Sequence, residues 1–158
     1  MDSVYYYDFP LCRLGIVADE SAISQIFFSH GNDNFPAPLQ ETPLIQEAAE
    51  QLRQYFAGQR REFDLPLAPH GTPFQKKIWQ LLMTIPHGET RSYKQIAALA
   101  GNEKATRAVG GANNRNPIAI VIPCHRVIGA DGSLVGYGGL QGLGLKRQLL
   151  DLEKAAGR

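Results

Sequence analysis

The pattern of apolar residues changes at Ala68-Pro69-His70-Gly71, a short segment of loop-forming residues. Before this segment, residues 4–28 are rich in β-branched, aromatic and aliphatic side chains, with a turn-forming stretch at 18–21, as is typical of strands. After it, apolar residues recur mainly at helical spacing. The change predicts two domains, an α/β (α+β) domain over 1–67 and a mostly helical domain over 72–158.

One helix is predicted in the first domain, over residues 42–57. Thr42 fits the N-cap position, Pro43 fits the first helical position, and Gly58 follows the apolar stripe. A last short strand is predicted over 63–67. Together with the earlier strands, these elements favour a small antiparallel sheet with one helix.

Four helices are predicted in the second domain from apolar spacing and from the capping and breaking residues beside it. They cover residues 72–85, 92–100, 104–112 and 143–154. The two central helices are joined by Gly101-Asn102, and two helices with a brief glycine turn between them form the outline of a helix-turn-helix. That outline is a weak signal by itself, because many helix pairs share it.

Cys124 lies at the polar break in an otherwise apolar run, Ile118–Gly129, where the sequence reads Pro-Cys-His-Arg. The thiolate is the reactive form of cysteine, and nearby cationic side chains such as His125 and Arg126 stabilise it. The alternative is a structural cysteine at the end of a core strand, since free cysteine is among the most buried residue types. The polar residues beside Cys124 favour a reactive thiol, and Arg126 is assigned only an anchoring ion pair.

The two halves of the chain carry opposite charge. Up to His70, four Lys and Arg face ten Asp and Glu, a balance of −6, whereas from Gly71 onward twelve face five, a balance of +7. Such asymmetry favours a nucleic acid or another acidic partner for the basic half. It carries no information about the fold.

The chain has two cysteines, Cys12 and Cys124, no Cys-x-x-Cys pair, and four histidines without the spacing of metal ligands. No metal site is therefore expected. No signal peptide or membrane-length apolar run is visible, so we expect a cytoplasmic protein, whose reducing surroundings suit a thiolate nucleophile. Cys12 is expected to be structural.

The second half contains a set of motifs in a fixed order. They are Ser92-Tyr93-Lys94-Gln95-Ile96-Ala97, Arg107-Ala108-Val109-Gly110-Gly111-Ala112, Asn116-Pro117, the Pro-Cys-His-Arg segment, Gly136-Tyr137-Gly138, and Leu149-Leu150 with Glu153. In order and spacing this set resembles the O6-alkylguanine-DNA alkyltransferase family (methylated-DNA–protein-cysteine methyltransferases) with high specificity from about Gly71 to Glu153. Before Gly71 the resemblance is weak and mostly architectural. The resemblance of the second half implies a winged helix-turn-helix in the second domain and no cofactor.

The resemblance implies DNA repair by a single-use transfer of an alkyl group from O6-alkylguanine, with O4-alkylthymine as a further candidate substrate, to Cys124. His125 would take the thiol proton, directly or through water, and Glu153 would orient His125. Tyr93 would stabilise the departing guanine. Asn116 would be the hinge between the recognition helix and the cysteine segment.

The resemblance also places the 104–112 helix in the minor groove of DNA, unlike most helix-turn-helix proteins. Arg107 would fill the gap that the extruded base leaves in the stack. Further candidate DNA contacts are Tyr93, Lys94, Asn102, Thr106, Ala108, Gly110, Gly111, Arg115 and Ala130. The guanine pocket would be walled by Val135, Tyr137 and Gly138, in a glycine-rich stretch that is longer than in most relatives.

Three other functions remain open at this point. A non-catalytic protein that binds and flags alkylated DNA is one, and the presence of Cys124 argues against it. A transcription regulator is another, although no effector or dimerisation segment is obvious. A thiol hydrolase would need an oxyanion hole and would leave the glycine-rich 107–112 helix unexplained. We expect a monomer that acts on double-stranded DNA and does not bind membranes.

Overall fold

The computed structural model describes residues 1–31, 33–134 and 142–156. The chain divides into two compact units, Met1–His70 with Pro117–Ala119 and Gly71–Asn116 with Ile120–Arg158. The short segment Pro117–Ala119 packs with the first unit because Ile26 exchanges backbone hydrogen bonds with it. Ile26 N donates to Pro117 O at 2.9 Å, and Ala119 N donates to Ile26 O at 3.0 Å.

The first unit is built on a three-stranded antiparallel sheet. Its strands β1 (Ser3–Asp8), β2 (Arg13–Ala18) and β3 (Ile23–Phe28) follow each other in space in the order β1-β2-β3. The predicted strands and the small antiparallel sheet are confirmed. The central strand β2 is buried along almost its whole length, as expected for a strand that pairs on both edges and carries the core.

Helix α1 (Pro43–Phe56) completes the first unit and follows the prediction closely. The Thr42 side chain accepts a hydrogen bond from Ile45 N at 3.3 Å, and Pro43 occupies the first turn, where its missing N–H costs nothing. The face of α1 that enters the core consists of Ile45, Ala48, Ala49, Gln51, Leu52, Tyr55 and Phe56.

The strand predicted over 63–67 is wrong. Leu67 makes only an isolated parallel bridge to Ile23. Ile23 N donates to Pro66 O at 2.8 Å, and Ala68 N donates to Ile23 O at 2.8 Å. The ladder does not continue, because Pro66 has no N–H with which to extend it.

The second unit is mostly helical. Its elements are α2 (Pro73–Leu82), β4 (Arg91–Ser92), α3 (Tyr93–Leu99), α4 (Thr106–Asn114), β5 (Val127–Ile128) and α5 (Gly142–Ala156). Helices α2 and α3 both begin with a capping box, formed by Thr72 with Gln75 and by Ser92 with Gln95. These local hydrogen bonds explain why both helix starts could be predicted from sequence.

Helices α3 and α4 form the predicted helix-turn-helix. Gly101 has a φ of 96°, which favours glycine, and it ends α3. The Asn102 side chain then accepts a hydrogen bond from Lys104 N at 3.0 Å and starts a 3-10 turn, Glu103–Ala105. For this reason α4 begins at Thr106, two residues later than predicted.

The core of the second unit is centred on Trp79 of α2. Its indole Nε1 donates to Ala112 O of α4 at 2.9 Å, and the side chain is almost fully buried. Ile78, Leu82 and Ile96 are also fully buried. A Cβ at Gly71 would collide with the Trp79 ring, so a glycine is required where the chain passes the indole. None of the helices described is both long and apolar enough to cross a membrane.

Candidate active site

Cys124, His125 and Arg126 form a single 3-10 turn, which we call the cysteine turn. Arg126 N donates to Pro123 O at 3.0 Å, and strand β5 follows directly and pairs in parallel with β4. All three side chains of the turn are buried, and Cys124 retains 6% exposure. The turn matters because adjacent side chains of a regular strand point to opposite faces.

The segment that leads into the cysteine turn is held by its packing. Ile120 has a φ of 71°, a left-handed conformation that β-branched residues seldom adopt. Such strain persists where the surrounding structure enforces it. Ile120, Val121 and Ile122 are all buried. The segment that precedes Cys124 is thus apolar, buried and strained at Ile120.

Glu153, on α5, is fully buried and accepts hydrogen bonds from His125, Arg126 and Gly88. His125 Nε2 lies 2.7 Å from Oε2, Arg126 Nε donates to Oε1 at 2.9 Å and Nη2 to Oε2 at 3.0 Å, and Gly88 N donates to Oε1 at 3.3 Å. The remaining Arg126 nitrogen, Nη1, donates to Ile85 O at 2.8 Å. Arg126 is therefore the buried ionic anchor that its sequence context predicts.

The electrostatics of this cluster determine which nitrogen of His125 can act as a base. Burial opposes ionisation of Glu153, but hydrogen bonds and charges from His125 and Arg126 hold its pKa below the usual range. An ionised carboxylate can only accept, so His125 Nε2 carries the proton. Burial lowers the pKa of His125 and keeps the ring neutral near neutral pH. Nδ1 is then the basic atom, and it is buried without a hydrogen-bond partner among the described residues.

Tyr93, the first residue of α3, is buried beside α4 and α5. A Cβ built at Gly110 would lie 4.0 Å from two carbons of the Tyr93 ring, and Lys146 Nζ lies 5.9 Å from the ring centroid. Burial raises the pKa of Tyr93, and the charge of Cys124 raises it further. Tyr93 thus lies close enough to Cys124 for the charge of the thiolate to affect its pKa, and its role toward guanine stays a prediction.

Lys146 is a buried residue of the site that the sequence analysis missed. Its side chain is fully buried, and Nζ donates to Val127 O at 2.5 Å. Burial lowers the pKa of Lys146 to about 8, against an opposing effect of Cys124. The sequence does contain a sign of this burial. Lys146 lies three, four and seven residues before Leu149, Leu150 and Glu153, so all four side chains share one face of α5.

Two asparagines connect the end of α4 to the cysteine segment. Asn116 Nδ2 donates to Ile122 O at 2.7 Å, and the hinge role expected for Asn116 stays a prediction. Asn113 Nδ2 donates to Cys124 O at 3.3 Å. Asn113 was also missed, because a second asparagine near a helix end gives no sign in the sequence that it is buried.

Most of the candidate DNA contacts lie on the solvent side of the helix-turn-helix and beyond it. Those exposed are Lys94, Asn102, Thr106, Arg107, Ala108, Gly111, Arg115 and Ala130, whereas Gly110 is half-buried and Tyr93 is buried. A Cβ at Gly111 would meet nothing within 4 Å, so this face of α4 is open in the described part of the chain. Asn102 also caps the 3-10 turn, which gives it a structural role.

Val135, Tyr137 and Gly138, the expected walls of the guanine pocket, lie outside the described residues. Within the described ranges, no three His, Cys, Asp or Glu side chains lie close enough to hold a metal ion.

Two family models match the chain and together cover almost all of it. The DNA-binding domain of 6-O-methylguanine DNA methyltransferase matches residues 73–155, and the ribonuclease-like domain of the same family matches residues 4–69. The two matches meet at the linker where the sequence changes its pattern.

Curated relatives are similar to this chain over nearly their full length. The chain is 47% identical over 155 residues to a methylated-DNA–protein-cysteine methyltransferase of Methanosarcina acetivorans, covering 95% of this chain and 98% of the relative. It is 47% identical over 151 residues to the constitutive methylated-DNA–protein-cysteine methyltransferase of Bacillus subtilis, covering 92% of this chain and 91% of the relative.

Solved structures show the same fold. The crystal structure of Mycobacterium tuberculosis O6-methylguanine methyltransferase has a TM-score of 0.88 at 43% identity, covering 99% of this chain and 94% of that one. The M. tuberculosis protein in complex with DNA has a TM-score of 0.89 at 44% identity, covering 98% and 94%. The predicted two-part fold is confirmed, and the chain belongs to the 6-O-methylguanine DNA methyltransferase family.

Proposed function

We propose that this protein repairs O6-alkylguanine in DNA by transferring the alkyl group to Cys124, once per molecule. The observation that carries the proposal is the cysteine turn, which places a nucleophile next to a neutral histidine that Glu153, itself anchored by Arg126, holds in one orientation. A nucleophile, a base and a group that orients the base form the usual arrangement for covalent catalysis by a thiol.

In the proposed step, His125 Nδ1, which has no hydrogen-bond partner among the described residues, takes the thiol proton through water, and the Cys124 sulfur attacks the alkyl carbon. The carbon–sulfur bond forms while the carbon–oxygen bond breaks, and its electron pair stays on guanine. Tyr93 stabilises this negative charge with its hydroxyl. Guanine takes up a proton on release, so the net reaction exchanges the alkyl group for the thiol proton. It balances without an oxidant, a reductant or a cofactor.

The burial of Cys124 supports a mechanism in which the damaged nucleotide leaves the duplex. At 6% exposure, Cys124 cannot reach a base that is stacked inside a helix. Extrusion costs a few kcal/mol for an ordinary base and less for a poorly paired alkylated one. The exposed face of α4, with Arg107 and the open Gly111, is our candidate for the minor-groove surface that performs the extrusion.

We infer that residues 72–158 carry the reaction and the DNA contacts and that residues 1–67 support them. The protein acts as a monomer in a reducing compartment such as the cytoplasm, where Cys124 remains a thiol. Burial raises the pKa of Cys12 to about 12, which supports a structural rather than a reactive role for that residue.

The stoichiometry of repair tests the proposed function. Protein is incubated with an excess of duplex DNA that contains O6-methylguanine, and the amount of repaired lesion is followed over time. We expect a plateau at which the repaired lesion equals the protein supplied, because the thioether formed on Cys124 is not readily hydrolysed. Continued turnover beyond the plateau would contradict single use, and binding without repair would favour the alternative of a damage-flagging protein.

Replacement of Arg107 with alanine is expected to slow repair of duplex DNA about tenfold or more, since tenfold corresponds to about 1.4 kcal/mol, within the cost of extruding a base. The reaction with free O6-benzylguanine, which requires no extrusion, should stay within about twofold of wild type. Single-turnover rates on both substrates provide the measurement. Lys76→Ala, which removes an exposed charge from α2, is the matched control. Equal losses on both substrates would argue against the wedge role of Arg107.

A further inference from the structure

Asn113 lies on α4 at 2% exposure, and no step of the proposed reaction uses it. Its Nδ2 donates to the backbone oxygen of Cys124 at 3.3 Å. A carbonyl oxygen can only accept a hydrogen bond, so this contact determines how the amide is turned. The nitrogen faces Cys124 O, and the side-chain oxygen Oδ1 lies on the other side of the same amide. The backbone of the nucleophile therefore sets the orientation of Asn113.

The side-chain oxygen of Asn113 is a buried acceptor that the described protein does not use. Oδ1 has no hydrogen-bond partner in the part of the chain that the structure describes. Burial of an acceptor without a donor costs the free energy of its lost hydration, and an apolar side chain of similar size would avoid this cost. An acceptor retained here, beside the nucleophile, points to a donor that the substrate brings.

The face of α4 that carries Asn113 also contacts Tyr93, the residue proposed to stabilise the departing guanine. The Tyr93 ring packs against Gly110, where a built Cβ would lie 4.0 Å from two ring carbons. Gly110 and Asn113 are three residues apart and are therefore neighbours on the helix surface. A base that meets both the Cys124 sulfur and Tyr93 is thus placed beside Asn113.

The chemistry of the substrate leaves one donor for this acceptor. Alkylation at O6 removes the N1 hydrogen of guanine, and N9 is bonded to the sugar, so the exocyclic 2-amino group is the remaining N–H donor of the base. O4-alkylthymine has lost its N3 hydrogen and has no N–H donor. Enzymes that extrude a base commonly recognise it by hydrogen bonds to its Watson–Crick edge, where the 2-amino group lies.

We propose that Asn113 is a specificity-determining residue whose Oδ1 accepts a hydrogen bond from the 2-amino group of the extruded O6-alkylguanine. The same amide holds the backbone of Cys124, so one side chain contacts both the base and the nucleophile's residue. The inference rests on the proposed function, because it presumes that the base enters the site for transfer to Cys124. It implies that O6-alkylguanine is a better substrate than O4-alkylthymine, which cannot form this bond.

Two substrates that differ only in the 2-amino group test this role. One duplex contains O6-methylguanine and the other contains O6-methylhypoxanthine, the same base without the amino group. Second-order rate constants of methyl transfer are measured for the wild type and for Asn113→Leu. We expect the wild type to react about tenfold faster with O6-methylguanine, as for the loss of one partner of a buried hydrogen bond. In Asn113→Leu the two rates should differ by less than about twofold.

The ratio of the two rates separates recognition of the base from support of the fold. Loss of the hydrogen bond to Cys124 O alone would slow both reactions by the same factor and leave the ratio unchanged. Asn114→Leu is the matched control, since Asn114 is the adjacent asparagine of α4 and is exposed, and it should keep the wild-type ratio. Urea unfolding midpoints establish that each variant is folded, and Asn113→Ala serves if the leucine variant is unfolded or inactive.

The possible failures are distinguishable. Equal rates of the wild type on the two substrates, or a wild-type ratio in the Asn113 variant, would overturn the role of Asn113 while the proposed function stands. A wild-type protein that transfers no methyl group from O6-methylguanine would overturn the proposed function together with this inference.

Discussion

Replacement of Cys124 with alanine is expected to abolish alkyl transfer while leaving DNA binding largely intact. The sulfur is the proposed acceptor, and the alanine methyl group offers no nucleophile in its place. The proposed DNA contacts on α4 lie on its exposed side and do not depend on the thiol. Single-turnover repair of O6-methylguanine duplex and a gel-shift titration with the same duplex provide the two measurements.

Cys12→Ala is the control for this variant. Cys12 is the second cysteine of the chain, is buried in the first unit, and should be dispensable for transfer. A Cys124→Ala protein that still demethylates DNA would show that the acceptor lies elsewhere. Loss of repair in both variants would indicate damage to the fold rather than to the chemistry.

Replacement of Glu153 with glutamine is expected to destabilise the protein by about 3 kcal/mol or more, because it leaves the buried Arg126 guanidinium without its counter-charge. Glu153 accepts two hydrogen bonds from Arg126 and fixes the ring of His125. The variant should also transfer alkyl groups more slowly when assayed under conditions in which it is folded, since His125 loses the partner that sets its tautomer. Urea unfolding gives the free energy, and single-turnover kinetics gives the rate.

Asp151→Asn provides the matched control on the same helix. Asp151 is an exposed carboxylate on α5, and its replacement should change the free energy of unfolding by less than about 0.5 kcal/mol. If Glu153→Gln unfolds at the same urea concentration as wild type, the buried cluster does not hold the cysteine turn. Normal stability with normal transfer would remove Glu153 from the mechanism altogether.

The pH dependence of stability gives a further check on the same cluster. The folded-state pKa of Glu153 lies below that of the unfolded chain, so Glu153 contributes stability that is fully present above the unfolded value of about 4.3 and is lost as pH falls below it. The pKa of His125 is lowered as well, so its contribution is present above about 6.5 and declines below that pH. Both effects favour unfolding in acid. In the Glu153→Gln variant, the free energy of unfolding should therefore depend less on pH below about pH 4 than it does in the wild type.

The elements that could be predicted from sequence are those determined by nearby residues. The starts of α1, α2 and α3 depend on Thr42, Thr72 and Ser92, whose side chains bond backbone groups within one turn. The strand expected over 63–67 failed because Pro66 interrupts the ladder with Ile23, a partner distant in sequence. The packing of Pro117–Ala119 with the first unit could not be predicted for the same reason, because it depends on hydrogen bonds with Ile26 of β3.

The residues of the candidate site also fall into those that sequence motifs indicate and those whose importance depends on the tertiary structure. Cys124, His125 and Glu153 were proposed as site residues because they belong to motifs that resemble those of the family, and the structure brings the last two within hydrogen-bond distance. Lys146 and Asn113 were missed, because their importance depends on burial beside residues from other elements. A polar residue on an apolar helix face, such as Lys146 on α5, is the pattern that could have revealed one of them.

The most direct test of the account is the position of the transferred methyl group. Wild-type protein is incubated once with duplex DNA that contains O6-methylguanine, digested, and examined by peptide mass spectrometry. We predict that the peptide containing Cys124 gains the mass of one methyl group and that the peptide containing Cys12 is unchanged. Repair of the DNA with an unmodified Cys124 peptide, or with the methyl group on another residue, would contradict the central claim.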